Sequence, residues 1–174
     1  MIHCSSKVSI GLTNPKSPSN VGAVMRAAGC YQVDAVYYTG QRYARAAKFN
    51  TDTKKVADRI PLSALDSFKA INDMPFVSQA SIVCIELVEG AQPLPDFVHP
   101  ENAFYIFGPE DGSITQEVID EAAAVVYVPT VGCMNLAATV NVVLYDRLAK
   151  SINQSGSDEL IKLSRDTNNR LKLT

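Results

Sequence analysis

Between Glu121 and Asp146 no residue carries a charge, and an apolar run of that length is what a membrane-spanning helix of about 20 residues needs. Pro129, Gly132 and Asn135 fall in its middle. They divide it into a short strand of β-branched and aromatic residues, a turn, and a helix from about Asn135 to Lys150. On that helix Leu136, Val140, Val143, Leu144 and Leu148 form one apolar stripe, with Ala137, Ala138 and Thr139 as a flat patch of small residues beside it. Such a helix is buried on more than one side. A chain of 174 residues has room for a single domain with a genuine core, but little core to surround such a helix with, so part of that burial is expected from a second copy of the chain.

The four cysteines, at 4, 30, 84 and 133, form no CxxC pair and lie mostly in apolar runs, which suggests the reduced thiols of a cytoplasmic protein. The N-terminus shows no basic stretch followed by an apolar one, so no export signal is expected. His3 and His99 stand alone, a poor basis for a metal site. The net charge of −2 argues against indiscriminate coating of nucleic acid, but its distribution is uneven. Arg42, Arg45, Lys48, Lys54, Lys55 and Arg59 face only Asp52 and Asp58, whereas residues 86–121 hold nine carboxylates and no lysine or arginine. One face could therefore meet phosphate while the rest stays soluble; a plainly solvated loop and helix would look the same. Tyr43 and Phe49 lie among the basic residues, where aromatic rings could stack on unpaired bases.

In chain order, strand-like and helix-like segments alternate, which predicts an α/β domain with a mostly parallel sheet. Strands are expected at residues 7–12, 33–39, 81–88 and 103–107, and helices at 18–30, 62–71 and 115–123. Ser17 is placed to cap the first helix, with Pro18 at its first position. That helix should turn Val21, Val24, Met25 and Ala28 inward. Gly22, Arg26 and Gly29 share another face, so the arginine stands on a strip almost free of side chains, open to a ligand or to another backbone. Residues 90–100 read as a proline-rich connection without regular structure. The domain is expected to span residues 1–150, followed by a polar tail, 151–174, with at best a marginal helix.

Three loops then follow strands, where ligands bind in parallel sheets: residues 14–22, 108–113 and 130–135. The chain has no GxGxxG and no GxxxxGK[ST], and no hydrolase-type Ser, His and Asp spacing. Dinucleotide-binding, P-loop and serine-hydrolase chemistry are thereby disfavoured.

Those loops carry a resemblance. Asn20-Val-Gly-Ala-Val-Met-Arg26 resembles the first motif of the SPOUT superfamily, specifically the TrmH-type (SpoU) RNA 2′-O-ribose methyltransferases. Phe107-Gly-Pro-Glu110 is similar to the second motif and Val128-Pro-Thr-Val-Gly-Cys-Met-Asn-Leu136 to the third, in the same order and spacing. The similarity covers about residues 7–150. It implies a C-terminal trefoil knot, S-adenosylmethionine as cofactor, and RNA as substrate, tRNA before rRNA. The minimal single-domain members that the chain resembles act as homodimers, with one subunit's Arg26 facing the other's cofactor pocket.

By position, the resemblance assigns Arg26, Asn20, Glu110 and Asn135 to catalysis, and Glu86, Leu87, Gly108, Val128, Cys133 and Met134 to cofactor binding. Arg42, Arg45 and Lys48 are candidates for RNA binding, and neither a metal nor a membrane enters the reading. Methyl transfer to a ribose hydroxyl depends on holding donor and acceptor in line. Arg26 would hold the phosphate beside the target ribose and help activate the hydroxyl; otherwise it is part of a surface or interface ion pair. Asn20 and Asn135 could equally be helix caps, and Glu110 a loop carboxylate. Glu86 follows four apolar residues, and there it could accept hydrogen bonds from the ribose hydroxyls of the cofactor. Cys133 and Ala137 stand where relatives carry serines, so a hydroxyl is missing and a weakly bonding thiol replaces one of them. A rival reading follows, a knotted RNA-binding dimer with little turnover.

Overall fold

The computed structural model describes residues 7–47, 60–69, 71–74, 77, 79–151, 156–166, 168–171 and 173. Among them, seven strands form one sheet in which every pairing is parallel: β1 (Val8–Leu12), β2 (Ala35–Thr39), β3 (Leu62–Leu65), β4 (Ser81–Ile85), β5 (Gln92–Pro93), β6 (Ala103–Phe107) and β7 (Ala124–Tyr127). Their order across the sheet is β3-β2-β1-β6-β4-β7-β5. The central strands are apolar without alternation because both faces are covered. In β6 all five residues are buried, with Ala103, Tyr105 and Phe107 on one face and Phe104 and Ile106 on the other.

Helices α1 (Pro18–Cys30) and α4 (Leu136–Lys150) pack on the first of these faces and on each other. The short α3 (Gln116–Asp120) and a 3-10 turn at Ile71–Asp73 cover the second. As expected, Ser17 caps α1 ahead of Pro18, and Val21, Val24, Met25 and Ala28 are buried. In α4 the residues Leu136, Val140, Val143 and Leu144 are buried and Leu148 half-buried. At its far end Arg147 donates to the carbonyls of Pro100 (2.6 Å) and Glu101 (2.7 Å) and Lys150 to those of Leu94 (2.6 Å) and Phe97 (3.0 Å). His99 sits between the Tyr105 hydroxyl (2.6 Å) and Asp146 (2.9 Å). Helix α4 is thus tied along the segment that leads from β5 to β6. Strand β7 lies between β4 and β5, both earlier in the chain, an arrangement consistent with a threaded C-terminal segment.

Four expectations need correction. Residues 62–71 do not form a helix. Leu62 and Leu65 belong to β3 and pack on opposite faces of the sheet. The open edge of β2 decides this: Val36 donates to the Pro61 carbonyl at 2.9 Å and draws the segment into the ladder. The strand expected at 81–88 ends at Ile85, because Glu86 and Leu87 leave the sheet for a cleft. Residues 90–100 are not wholly irregular, since β5 pairs with β7 and a 3-10 turn follows at Leu94–Asp96. The helix expected at 115–123 is shorter, and the Thr115 side chain does not cap it. Within the tail, α5 (Asp158–Ser164) is capped by Ser157 and buries nothing. The described cysteines Cys30, Cys84 and Cys133 are free thiols.

A short connection follows β2 and leads into α2 (Arg42–Ala47). Gly40 has φ +72, and a Cβ built there would lie 2.2 Å from Asn14 Oδ1. Gly90 also has positive φ but opens onto empty space. Gly90→Ala should therefore cost about 1 kcal/mol for the left-handed backbone alone. Gly40→Ala should cost at least about twice that, since steric displacement adds to backbone strain; urea denaturation of both variants measures the difference.

Candidate functional site

In a parallel sheet the strand ends all point one way, so the loops after β1, β4, β6 and β7 meet at one edge of the sheet. There a cleft of about 170 Å³ is lined by Ile85, Glu86 and Leu87 after β4, by residues 107–110 after β6, and by Val128, Thr130 and residues 132–134 after β7. All six residues assigned to the cofactor, Glu86, Leu87, Gly108, Val128, Cys133 and Met134, line this cleft, and so does Glu110. Tyr127, Gly112, Leu136 and Thr139 also line it. Nothing in their types distinguished them in the sequence; only the fold brings them there.

Asn20 and Asn135, which do not line the cleft, meet each other beside it and are joined to it through Glu110, which does. Asn135 caps α4, its Oδ1 accepting from the amides of Ala137 (2.9 Å) and Ala138 (3.3 Å). The cap leaves its Nδ2 to donate to Asn20 Oδ1 at 3.0 Å, and Asn20 Nδ2 in turn donates to Glu110 Oε1 at 3.1 Å. Glu110 also receives the amides of Lys16 (2.9 Å) and Ser17 (3.2 Å). Asn135 is therefore a helix cap, as one of its two readings had it, and the same side chain also bonds Asn20. One line of hydrogen bonds joins the third loop to the first and the first to the second.

Glu110 is a surface residue whose side chain is only 18% exposed. That partial burial opposes ionisation, but the donors from Lys16, Asn20 and Ser17 outweigh it and hold the carboxyl below its usual range. A carboxylate so engaged is a structural acceptor rather than a proton acceptor.

Arg26 is exposed on α1 and makes no ion pair or hydrogen bond with the described residues. Gly22, one turn before it, has nothing within 4 Å of where a side chain would begin. Arg42 is engaged in a different way. Its Nε and Nη2 donate to the Asn14 carbonyl at 3.0 and 2.6 Å, and its Nη1 to both Asp111 oxygens at 2.7 and 2.9 Å. Arg45 is exposed and bonded to Gln41 (2.9 Å), and Lys48 lies outside the described residues, as do Phe49 and the rest of the basic segment to Arg59. Asp111 and Asn14 were not singled out in the sequence. The signals available were a second carboxylate beside Glu110 and an asparagine before Pro15; Asn14 does take positive φ, at 41°.

Glu86 is neither remote nor fully exposed. Its Oε2 accepts from the Ile114 amide at 2.9 Å and its Oε1 from the Leu87 amide at 3.0 Å. A Cβ at Gly108 would come within 2.8 Å of Oε2, so this position has to be a glycine for the carboxylate to lie flat against the second loop. Among the described residues no three His, Cys, Asp or Glu gather as metal ligands, and no helix is long and apolar enough to cross a membrane.

The protein is thus of the all-parallel α/β class, with a mixed polar and apolar cleft at the strand ends, where proteins of this architecture bind ligands. Residues 7–145 match the model of the SpoU rRNA methylase family, and the chain belongs to that family. A search of curated proteins returned no match. Solved structures of similar fold include one described under the 2-OH methylation of C/U34 on tRNA, 21% identical, covering 86% of this chain and 93% of that one with a TM-score of 0.70. Another is the SpoU methyltransferase AviRb from Streptomyces viridochromogenes in complex with AdoMet, 15% identical over 84% of this chain and 61% of that one, with a TM-score of 0.69. The TrmH/SpoU tRNA modifying enzyme of A. aeolicus is 13% identical over 83% and 75%, with a TM-score of 0.67. The chain spans about three fifths of the length of several such structures.

The charge on Glu110 sets a pH dependence. Because its folded pKa is depressed, its contribution to stability is present above the unfolded value, near 4.5, and is lost as pH falls through the folded value. Glu110→Gln should lower the unfolding midpoint at pH 7 and lessen its fall between about pH 5 and 3, as read by thermal melts across that range.

Proposed function

We propose that this protein is an S-adenosylmethionine-dependent RNA methyltransferase acting on a ribose 2′-hydroxyl, with tRNA ahead of rRNA as substrate. The observation that carries the reading is the line of hydrogen bonds that ties three loops together beside the cleft, through Glu110, which lines it, with an arginine unpaired among the described residues on the helix that starts from that linkage. Family membership gives the reaction class. The preference for tRNA is supported by the solved structure concerned with tRNA 2-OH methylation, which this chain matches over nearly the whole length of both.

The cleft residues fit the cofactor. Apolar side chains of Ile85, Leu87, Val128 and Leu136 stand beside the backbone of Gly108 and of residues 132–134, and Glu86 and Glu110 supply negative charge. That combination suits a partly apolar ligand with hydroxyls and a cationic centre. When bound, S-adenosylmethionine supplies an electrophilic methyl group. Leu87, Gly108, Val128, Cys133 and Met134 would hold it, with Glu86 facing hydroxyls while it braces the second loop. The ribose hydroxyl must give up its proton, to solvent, as it takes the methyl group, so negative charge develops on its oxygen before the C–O bond forms, and a guanidinium, a fixed donor with no acceptor, stabilises charge of that sign. Arg26 fills that role at the substrate phosphate and hydroxyl. Asn20 and Asn135 orient the first and third loops, and Glu110 fixes the entry to α1. Arg45 and Lys48 extend the contact with RNA.

The protein acts as a homodimer in this reading. Helices α1 and α4 pack together, and Gly22, Ala23 and Arg26 of the one and Ala138, Asn141 and Tyr145 of the other are exposed. A second copy seated on these helices would bring Arg26 to the partner's cleft. The knot, the domain at residues 1–150 with a separate tail, and a cytoplasmic setting belong to the same reading. The position of β7 between β4 and β5 supports the knot, and the exposure of α5 supports a tail apart from the core. One observation favours the rival of a non-methylating RNA-binding dimer: Cys133 presents an exposed thiol in the cleft where relatives have a hydroxyl.

Calorimetry with S-adenosylmethionine and transfer of labelled methyl to bulk tRNA test this. The wild type should bind and transfer; Arg26→Ala should bind equally and transfer roughly a hundredfold more slowly. Asn135→Asp retains the cap but not the Nδ2 donor, so it should keep its melting temperature while losing rate. Cofactor binding without any transfer would favour the rival.

A further inference from the structure

The segment at residues 13–17 is gripped from two sides, and only one grip comes from a residue of the three loops. Glu110 holds the Lys16 and Ser17 amides. Arg42, from the far side, places Nε and Nη2 on the Asn14 carbonyl and turns Nη1 onto Asp111, the residue next to Glu110. Lys16 Nζ approaches the same Asp111 carboxylate at 3.8 Å. The Asn14 amide is itself held by Thr39 Oγ1 at 3.2 Å, and Gly40 packs against the Asn14 side chain. Arg42 thus spends all three nitrogens on the first and second loops. Its guanidinium is committed to protein acceptors in a fork that a lysine cannot reproduce, because a single ammonium has no planar pair of edges.

We propose that Arg42 is a positioning residue that clamps the first loop to the second, through Asn14 and Asp111, and is not a contact for RNA phosphate. This replaces its assignment from charge alone, and it rests on the methyltransferase reading only for its effect on rate. By fixing Asp111, Arg42 holds Glu110 where it can receive Lys16, Ser17 and Asn20. Because Arg42 also opens α2, the start of the basic segment is anchored to the same two loops. The Arg42 guanidinium in turn lowers the Asp111 pKa from its usual value.

The test uses Arg42→Lys, Arg42→Ala and Asp111→Asn in the full chain. Hydrogen exchange of the Asn14, Lys16 and Ser17 amides reads the clamp without any substrate, with the amides of β1 and β6 as internal reference. All three variants should exchange roughly tenfold faster at those three amides and unchanged at the reference. Arg42→Ala and Asp111→Asn combined should be no worse than either alone, as for two halves of one contact. Binding of bulk tRNA between about 50 and 200 mM salt reads phosphate contact. The slope should be unchanged in Arg42→Lys and Arg42→Ala, while kcat falls roughly tenfold or more in both at nearly constant KM. Exchange in Arg42→Lys identical to wild type would overturn the clamp. A salt slope reduced by about one in Arg42→Ala alone, with Asp111→Asn unaffected, would make Arg42 an RNA contact after all. If wild type neither bound nor methylated RNA, the methyltransferase reading would fall, and the exchange data would still decide the clamp.

Discussion

The polarity of one carboxamide sets the arrangement of the whole site. The Oδ1 of Asn135 faces two helix amides, and only the oxygen end of the side chain can accept from them. The nitrogen end must then point outward and donate, which forces Asn20 to present its oxygen to Asn135 and its own nitrogen to Glu110. No amide in the line can flip without leaving a donor against a donor. The start of α4 thereby dictates the orientation of the residue that opens the functional face of α1, although the two stand 115 positions apart in the chain.

These bonds do not hold the molecule together. Each is near the surface and contributes about 0.5–1.5 kcal/mol, whereas burying one large core side chain contributes about 1.5–3 kcal/mol, and Tyr105, Phe104 and Phe107 are all fully buried in β6 and its packing layers. Stability comes from a sheet covered on both faces, and the polar network uses that rigid frame to aim loops. The same division accounts for Arg42 and Glu86. Both are charged groups that serve backbone amides and carbonyls of the loops, and neither sits in the core.

What the sequence made legible follows the same division. The apolar periodicity of α1 and α4, the Ser17-Pro18 start and the buried runs of β1, β4 and β6 depend on local pattern and were readable. Residues 62–65 were misread because their strand state is imposed by the unpaired edge of β2, a tertiary cause with no local mark. β5 was missed for the same reason: a two-residue strand containing a proline exists only because β7 lies beside it. At the site, the loop residues could be carried over by motif, but their bonding could not. Arg42 looked like any basic side chain in a basic segment until the fold placed Asp111 and Asn14 beside it.

The most direct measurement is a titration of isotopically labelled protein with S-adenosylmethionine, followed through backbone amides and the side-chain amides of Asn20 and Asn135. The account predicts shifts at Leu87, Gly108 and residues 132–134, together with both carboxamides, because cleft and network are one unit. Shifts confined to the opposite end of the sheet, around the large cavity of Tyr31, Phe97 and His99, with both carboxamides unmoved, would contradict it.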